Sequence, residues 1–233
     1  MSKKWQPDKT DLLLATLIAI AYPFIARTLY NKTGALIPML IYYGLAWGVF
    51  FWRRGETGYK KKFSNPPVWF YINLLFIIIA VVIGYFARIE HEQENNYGMF
   101  LTASIWAPIN AASEQLLWIY IFESWDLYFP SEESKNTKGN KKKSIIGKTI
   151  GLILFSIFVG MIHTFFWVSF LHTIEPAQAL GMIFVAITSI TGFLHIIVWR
   201  QSKQMFYTFI PHFILNLIPT IYTGYSILPY LIS

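Results

Sequence analysis

Seven apolar blocks of about twenty residues each constrain the fold of this chain more than any other feature. A helix rises about 1.5 Å per residue, so each block can cross a hydrocarbon layer about 30 Å thick. Hydrophobic residues make up 55% of the 233 residues and charged residues 13%, which a water-soluble core could not absorb. We therefore predict an all-α, polytopic membrane helix bundle of seven or eight transmembrane helices. The blocks lie near 11–30, 34–52, 67–87, 99–122, 149–171, 177–199 and 205–222.

Lysine and arginine residues are concentrated in alternate loops between these blocks. With Arg27 counted in the loop that it adjoins, the N-terminal segment and every second loop after it hold 16 of the 19 basic residues, and the other segments hold 3. By the positive-inside rule, the N-terminus and the lysine-rich loops are cytoplasmic and the C-terminus is outside. The net charge of +7 is therefore a topology signal, and we expect contact with membrane lipids and no nucleic-acid partner.

The sequence divides into an N-terminal three-span region, 1–98, and a second region, 99–233, which carries the polar spans. The lysine-rich cytoplasmic segment 131–144 lacks strong apolar patterning and is predicted to be disordered. The tail 223–233 is apolar but contains Pro229, and it either extends the last helix or forms a half-span. The chain contains no cysteine, which excludes disulfides, thiolate metal sites and a cysteine nucleophile.

Four polar side chains inside the apolar blocks are the candidate site residues. An ionisable side chain costs at least about 2.5 kcal/mol at the centre of a membrane helix, so each one needs a reason. From the inner boundary, Glu114 and His212 lie about 12 Å deep, Asn216 about 17 Å and His163 about 21 Å. These four side chains can therefore meet in one layer near the middle of the membrane.

Each of these residues also has a structural interpretation. His163 on its own is typical of an interior histidine held by hydrogen bonds, and a His-x-x-x-Asn pair can occur by chance. The desolvation cost of Glu114 favours function, and the shared depth across three spans favours a joint site. His195 on the sixth span is interpreted as structural, as are the two polar residues of a short outer loop, His172 and Glu175.

In order along the chain, these residues resemble the motifs of the CPBP family of intramembrane proteases, which includes CAAX prenyl endopeptidases and bacteriocin self-immunity proteins. The family pattern is EExxxR, then FxxxH, then HxxxN, each on a separate helix. The likeness covers about 99–222. The third motif is complete, the second has Val159 in place of phenylalanine, and the first has Gln115 and Ile119 in place of the second glutamate and the arginine. The matching segments are Glu114-Gln115-Leu116-Leu117-Trp118-Ile119, Val159-Gly160-Met161-Ile162-His163 and His212-Phe213-Ile214-Leu215-Asn216.

The resemblance implies an intramembrane endopeptidase that cleaves a membrane-associated, prenylated or otherwise lipidated peptide. Glu114 and His163 would hold and deprotonate a water molecule, while His212 and Asn216 would donate hydrogen bonds to the oxyanion. A divalent metal such as zinc, held by Glu114, His163 and His212, is the alternative arrangement. Without HExxH spacing, the sequence does not choose between the two.

Two other functions remain open from the sequence. The altered first motif favours a catalytically inactive relative that binds a partner protein or confers immunity. Because the two missing charges are opposite, their joint loss can be nearly neutral for stability, which is compatible with either activity or its absence. Midplane Glu and His side chains could also relay protons in a proton-linked transporter, although no pair of broken helices supports that function.

Overall fold

The computed structural model describes residues 5–60, 65–91, 96–129 and 138–232, and these residues form an all-α fold without strands. The prediction of a helical bundle is confirmed. The helices are α1 (Lys9–Thr33), α2 (Leu36–Val49), α3 (Val68–Phe86), α4 (Asn96–Leu101), α5 (Ala107–Asp126), α6 (Lys138–Phe165), α7 (Ala179–Ser202) and α8 (Phe206–Thr223). A π-helix, Phe50–Arg54, continues α2, and a second, Thr102–Trp106, joins α4 to α5.

Five helices in the described part of the chain are long and apolar enough to cross a membrane. They are Lys9–Thr33, Leu36–Arg54, Val68–Phe86, Lys142–Ser169 and Ala179–Ser202. The fourth and seventh predicted spans correspond to α5 and α8, whose buried polar side chains lower their hydropathy. Which loops face the cytoplasm stays a prediction.

Local sequence signals explain where several helices begin and end. Asp8 caps α1, because its side chain accepts hydrogen bonds from the backbone N–H groups of Thr10 and Asp11. In turn, the Asp8 backbone N–H donates to the Asp11 carboxylate, which completes a capping box. The helices α2 and α8 are followed by Gly55 and Gly224, each with a positive φ angle that ends the helical path. Hydroxyl groups along the apolar helices, such as that of Ser156, donate to the carbonyl four residues earlier, which satisfies them without water.

The chain forms two compact units, and their bounds differ from the predicted division at residue 98. One unit consists of Met1–Gly55 and Leu116–Ser169, and the other of Glu56–Gln115 and Phe170–Ile232. The boundary falls inside α5, so its first turns belong to one unit and its last turns to the other. In the first unit α1 packs on α2 and α6, and in the second α3 packs on α7 and α8 around Phe70, Val198 and Tyr207.

One prediction about a segment between spans needs correction, and one of the two alternatives left open for the C-terminal tail is excluded. Of the segment 131–144 predicted to be disordered, 131–137 lies outside the described residues, whereas the rest begins α6 at Lys138. Lysine is a good helix former, and a helix that starts in the apolar block can extend into the lysine-rich sequence at little cost. The tail does not extend α8, because the chain turns at Gly224 and continues to a 3-10 helix, Leu228–Tyr230.

Hydrogen bonds anchor this turned-back tail within the second unit. The Tyr225 hydroxyl donates to the Phe170 carbonyl at 2.6 Å, and the Ile227 backbone N–H donates to the Thr102 hydroxyl at 2.9 Å. Gly98 allows this approach, since a Cβ there would overlap the Ser226 hydroxyl oxygen. The tail is therefore part of the packed structure of this unit.

Candidate functional site

The candidate site lies in the second unit and is built around the carboxylate of Glu114 on α5. This side chain is buried, and its Oε2 atom accepts a hydrogen bond from Asn110 Nδ2, one turn earlier on the same helix, at 3.1 Å. His212 Nε2, on α8, lies 3.1 Å from the same oxygen. Two donors from two helices therefore converge on one carboxylate oxygen, which fixes its position.

Gln115 ties α5 to α8 beside this pair. Its amide nitrogen donates to the Ala111 carbonyl at 2.9 Å and to the Thr208 carbonyl, one turn before His212, at 3.0 Å. Because both acceptors are carbonyl oxygens, the amide nitrogen and oxygen cannot be exchanged without loss of both bonds. The residue that replaces the second glutamate of the family pattern thus has a structural role that only a donor can fill.

A second histidine, interpreted as structural from the sequence, lies against His212. The His195 ring on α7 is buried, and its centroid is 5.8 Å from that of His212, with the ring planes 68° apart. Its Nδ1 atom is 2.5 Å from the Thr191 carbonyl oxygen and 3.4 Å from Asn73 Nδ2 on α3. Asn73 is the one amide side chain in α3, and this lone amide in an apolar block is the signal that could have placed it near the site.

Asn216 follows His212 by one turn of α8 and is half-buried. Its backbone carbonyl accepts a hydrogen bond from the Thr220 hydroxyl at 2.8 Å. Its side-chain nitrogen has no hydrogen-bond partner among the described residues. This amide can therefore donate to a ligand or a water molecule near the turn that carries His212.

His163 belongs to the first unit, whereas Glu114, His212 and Asn216 belong to the second. It lies on the exposed face of α6, and its Nδ1 atom is 2.8 Å from the Val159 carbonyl oxygen. Its ring centroid is 6.4 Å from that of Trp118, on the last turns of α5. Glu114 and His212 are therefore in contact, whereas His163 belongs to the other unit.

The donor set does not form a metal site in the described part of the chain, where no three His, Asp or Glu side chains are grouped to hold an ion. The predicted zinc ligands were Glu114, His163 and His212. Glu114 Oε2 lies within hydrogen-bond distance of Asn110 Nδ2 and His212 Nε2, and His163 belongs to the other unit.

A second polar cluster, which the sequence did not predict, lies in the first unit where α1 begins and α2 ends. Asp11 is fully buried, and its carboxylate accepts hydrogen bonds from Arg53 Nε at 2.8 Å and from the Tyr120 hydroxyl at 2.8 Å. Arg53 also contacts Asp8 at 2.8 Å, and the neighbouring Arg54 lies 3.0 Å from Glu123 on α5. These ion pairs link one end of α1 to the ends of α2 and α5.

The backbone N–H of Asp11 and the Arg53 guanidinium, which both donate to the Asp8 carboxylate, hold the pKa of Asp8 below its usual range. Asp8 precedes the first turn of α1 and lies outside the apolar block. Its charge therefore contributes to the cap of α1 and to the cluster around Arg53.

No family model, no curated protein and no solved structure matches this chain. The likeness to CPBP proteases therefore rests on the motif residues themselves.

Proposed function

We propose that this protein is an intramembrane endopeptidase of the CPBP type, with Glu114 as its general base and His212 as an oxyanion donor beside it. The observation that carries the proposal is the 3.1 Å contact between Glu114 Oε2 and His212 Nε2, which joins the first and third motifs inside a helical unit. A carboxylate shielded from water and an adjacent imidazole are groups that general-base catalysis and oxyanion stabilisation require. Structural histidines rarely need a buried carboxylate as partner, because of its desolvation cost.

In this mechanism Glu114 accepts a proton from a water molecule as the water oxygen attacks the carbonyl carbon of a substrate peptide bond. Because Glu114 now carries this proton, the Nε2–H of His212 donates to the resulting oxyanion, as does the side-chain amide of Asn216. The C–N bond then breaks, the proton passes to the leaving amine, and the carboxylate of Glu114 is regenerated. One peptide and one water thus give a carboxylic acid and an amine.

The substrate would be a peptide that reaches the apolar helices from the membrane, such as a prenylated C-terminus. The family resemblance supplies this substrate class, and the apolar character of the helices supports it. The same resemblance gives His163 a share in water activation, which substitution of that residue tests directly.

A catalytically inactive, partner-binding or immunity protein is the second candidate, and the contacts of Gln115 favour it. Its two bonds to backbone carbonyls support this candidate, because they join α5 and α8 at a position where the CPBP pattern has a charged group. The apolar Ile119 is buried where the family has arginine. Both replacements fit a relative in which the fold is kept and the charged motif is not needed.

The experiment compares cleavage of a prenylated peptide and of an unmodified membrane peptide by the purified protein in nanodiscs, with and without a chelator. Glu114→Gln is expected to lower kcat by about 100-fold or more, since it removes the general base. His212→Gln, His163→Ala and Asn216→Ala test the other roles. Glu90→Gln is the matched control, because that carboxylate is exposed at the end of a loop.

Three outcomes would overturn the proposal. A folded wild-type protein that cleaves neither peptide under any metal condition favours the inactive relative, and an immunity or binding phenotype that survives Glu114→Gln would establish it. Equal rates of cleavage in wild type and Glu114→Gln would show that Glu114 is not the general base. Proton flux in liposomes that disappears with Glu114→Gln would instead identify a transporter.

A further inference from the structure

The ring of His195, on a third helix, packs against His212 of the Glu114–His212 pair. The two imidazole centroids are 5.8 Å apart with planes at 68°, an edge-to-face arrangement that aromatic rings prefer. Both rings are buried. The ring of His212 therefore packs against another imidazole, while its Nε2 atom lies 3.1 Å from the carboxylate.

The orientation of His195 is fixed by the backbone of its own helix. Its Nδ1 atom lies 2.5 Å from the Thr191 carbonyl oxygen, and a carbonyl can only accept, so Nδ1 carries the hydrogen. Asn73 Nδ2 on α3 lies 3.4 Å from the same nitrogen, a neighbour rather than a hydrogen-bond partner when Nδ1 donates to Thr191. The bond to Thr191 therefore fixes the ring, and the ring packs against His212 on α8.

We propose that His195 is a positioning residue for the Glu114–His212 pair. Its anchored ring keeps the His212 imidazole in the orientation that directs Nε2–H to Glu114, as an outer partner orients the histidine in many hydrolytic and metal sites. The catalytic consequence rests on the proposed endopeptidase function. The imidazole orientation can be observed in the resting protein without any substrate.

Three substitutions distinguish the effect of the His195 ring from the effect of its hydrogen bond to Thr191. His195→Phe keeps a flat ring but loses the donor to Thr191, His195→Asn keeps an N–H donor but loses the ring, and His195→Ala removes both. Ser189→Ala is the control on the same helix, since this exposed hydroxyl donates only to the Val185 carbonyl at 2.7 Å among its described bonds. All four variants are compared with wild type for folding in nanodiscs.

The first readout is the ¹⁵N spectrum of labelled histidine, recorded above the ordinary histidine pKa of about 6.5. We expect His212 in wild type and Ser189→Ala to show one tautomer, with the hydrogen on Nε2. In His195→Ala and His195→Phe it should become a mixture of the two neutral tautomers. An unchanged His212 spectrum in both variants overturns the positioning role, and His195→Phe decides if His195→Ala does not fold.

The second readout is the division between kcat and KM for peptide cleavage. Loss of a positioning residue is expected to lower kcat by about 10- to 100-fold in His195→Ala, with little change in KM. A loss confined to KM contradicts the proposal. A tautomer that is fixed in wild type and mixed in His195→Ala, together with no cleavage by wild type, overturns the endopeptidase function and leaves the positioning role standing.

Discussion

The Gln115 side-chain nitrogen lies 3.0 Å from the Thr208 carbonyl oxygen, so α5 is bonded to α8 one turn before His212. The same nitrogen bonds the Ala111 carbonyl, and both acceptors require a donor. A carboxylate at this position would face two carbonyl oxygens in a buried setting. The chain is therefore adapted to glutamine here, in contrast to the glutamate of the family pattern.

Gln115→Glu, which introduces the glutamate of the CPBP pattern, is expected to destabilise the protein by about 3 kcal/mol, because it buries a charge without a partner and removes two hydrogen bonds. Thermal unfolding in detergent measures the effect. Gln115→Met, which has a similar volume and no charge, should cost less. A Gln115→Glu variant as stable as wild type would contradict the assigned contacts.

Arg53→Met is expected to destabilise the first unit by about 3 to 5 kcal/mol, because it leaves the buried Asp11 carboxylate without its cation. The double variant Asp11→Leu with Arg53→Met should recover most of that loss, since no buried charge remains. Unfolding midpoints in denaturant would show the recovery. Equal stability of the single and double variants would mean that the ion pair has no energetic role.

Two glycines of α6 should respond oppositely to alanine. A Cβ on Gly151 would lie 2.6 Å from the Phe122 carbonyl oxygen, so Gly151→Ala must separate α6 from α5 and is expected to cost about 1 to 3 kcal/mol. Gly160 has nothing within 4 Å of that position among the described residues, so Gly160→Ala should stabilise the helix by up to about 1 kcal/mol. Melting temperatures of the two variants test the contrast.

The chain contains no cysteine, so single-cysteine variants report membrane topology without background. Lys60→Cys and Gln178→Cys are both at exposed positions in loops that the positive-inside rule assigns to opposite sides. In intact cells an impermeant thiol reagent should label Gln178→Cys and should label Lys60→Cys only after lysis. The reverse pattern would invert the predicted topology.

The charge of Asp8 should stabilise the protein only above acidic pH. Because the folded-state pKa of Asp8 is lowered, the stabilisation is fully present above the unfolded-state pKa, near 3.8, and is lost as pH falls through the folded-state pKa. Asp8→Asn keeps a good helix cap but removes the charge. The variant should melt below wild type at neutral pH, and the difference should shrink as pH falls below the unfolded-state pKa. A difference that does not depend on pH would exclude an electrostatic contribution.

Sequence periodicity and block length predicted most of the helices closely, since a membrane helix is determined by local composition. The predicted spans 67–87 and 205–222 correspond to Val68–Phe86 and Phe206–Thr223. The start of α6 and the turned-back tail were not predicted, because they depend on packing and on contacts with distant helices. The π-helix Thr102–Trp106 likewise has no local signature that we recognised.

Helix depth predicted that Glu114, His163, His212 and Asn216 could meet in one layer, and in the structure Glu114 contacts His212 whereas His163 belongs to the other unit. The neighbouring contacts of His195 and Asn73 could not be predicted, because which faces of α3 and α7 turn toward α8 is set by tertiary packing. The cluster around Asp11 was missed for another reason. Charges near the ends of apolar blocks usually lie in water, so nothing in the sequence separated these buried ones from exposed ones.

The contacts of Asp11 have a consequence for how the protein is made. Its cation lies 42 residues later in the chain and its tyrosine partner 109 residues later, so a ribosome adding about 5 to 20 residues per second completes the set only after several seconds. Asp11 lacks its cation until Arg53 is made and its tyrosine partner until α5 is made. Nascent chains stalled before α5 should therefore be preferred targets of membrane quality-control proteases.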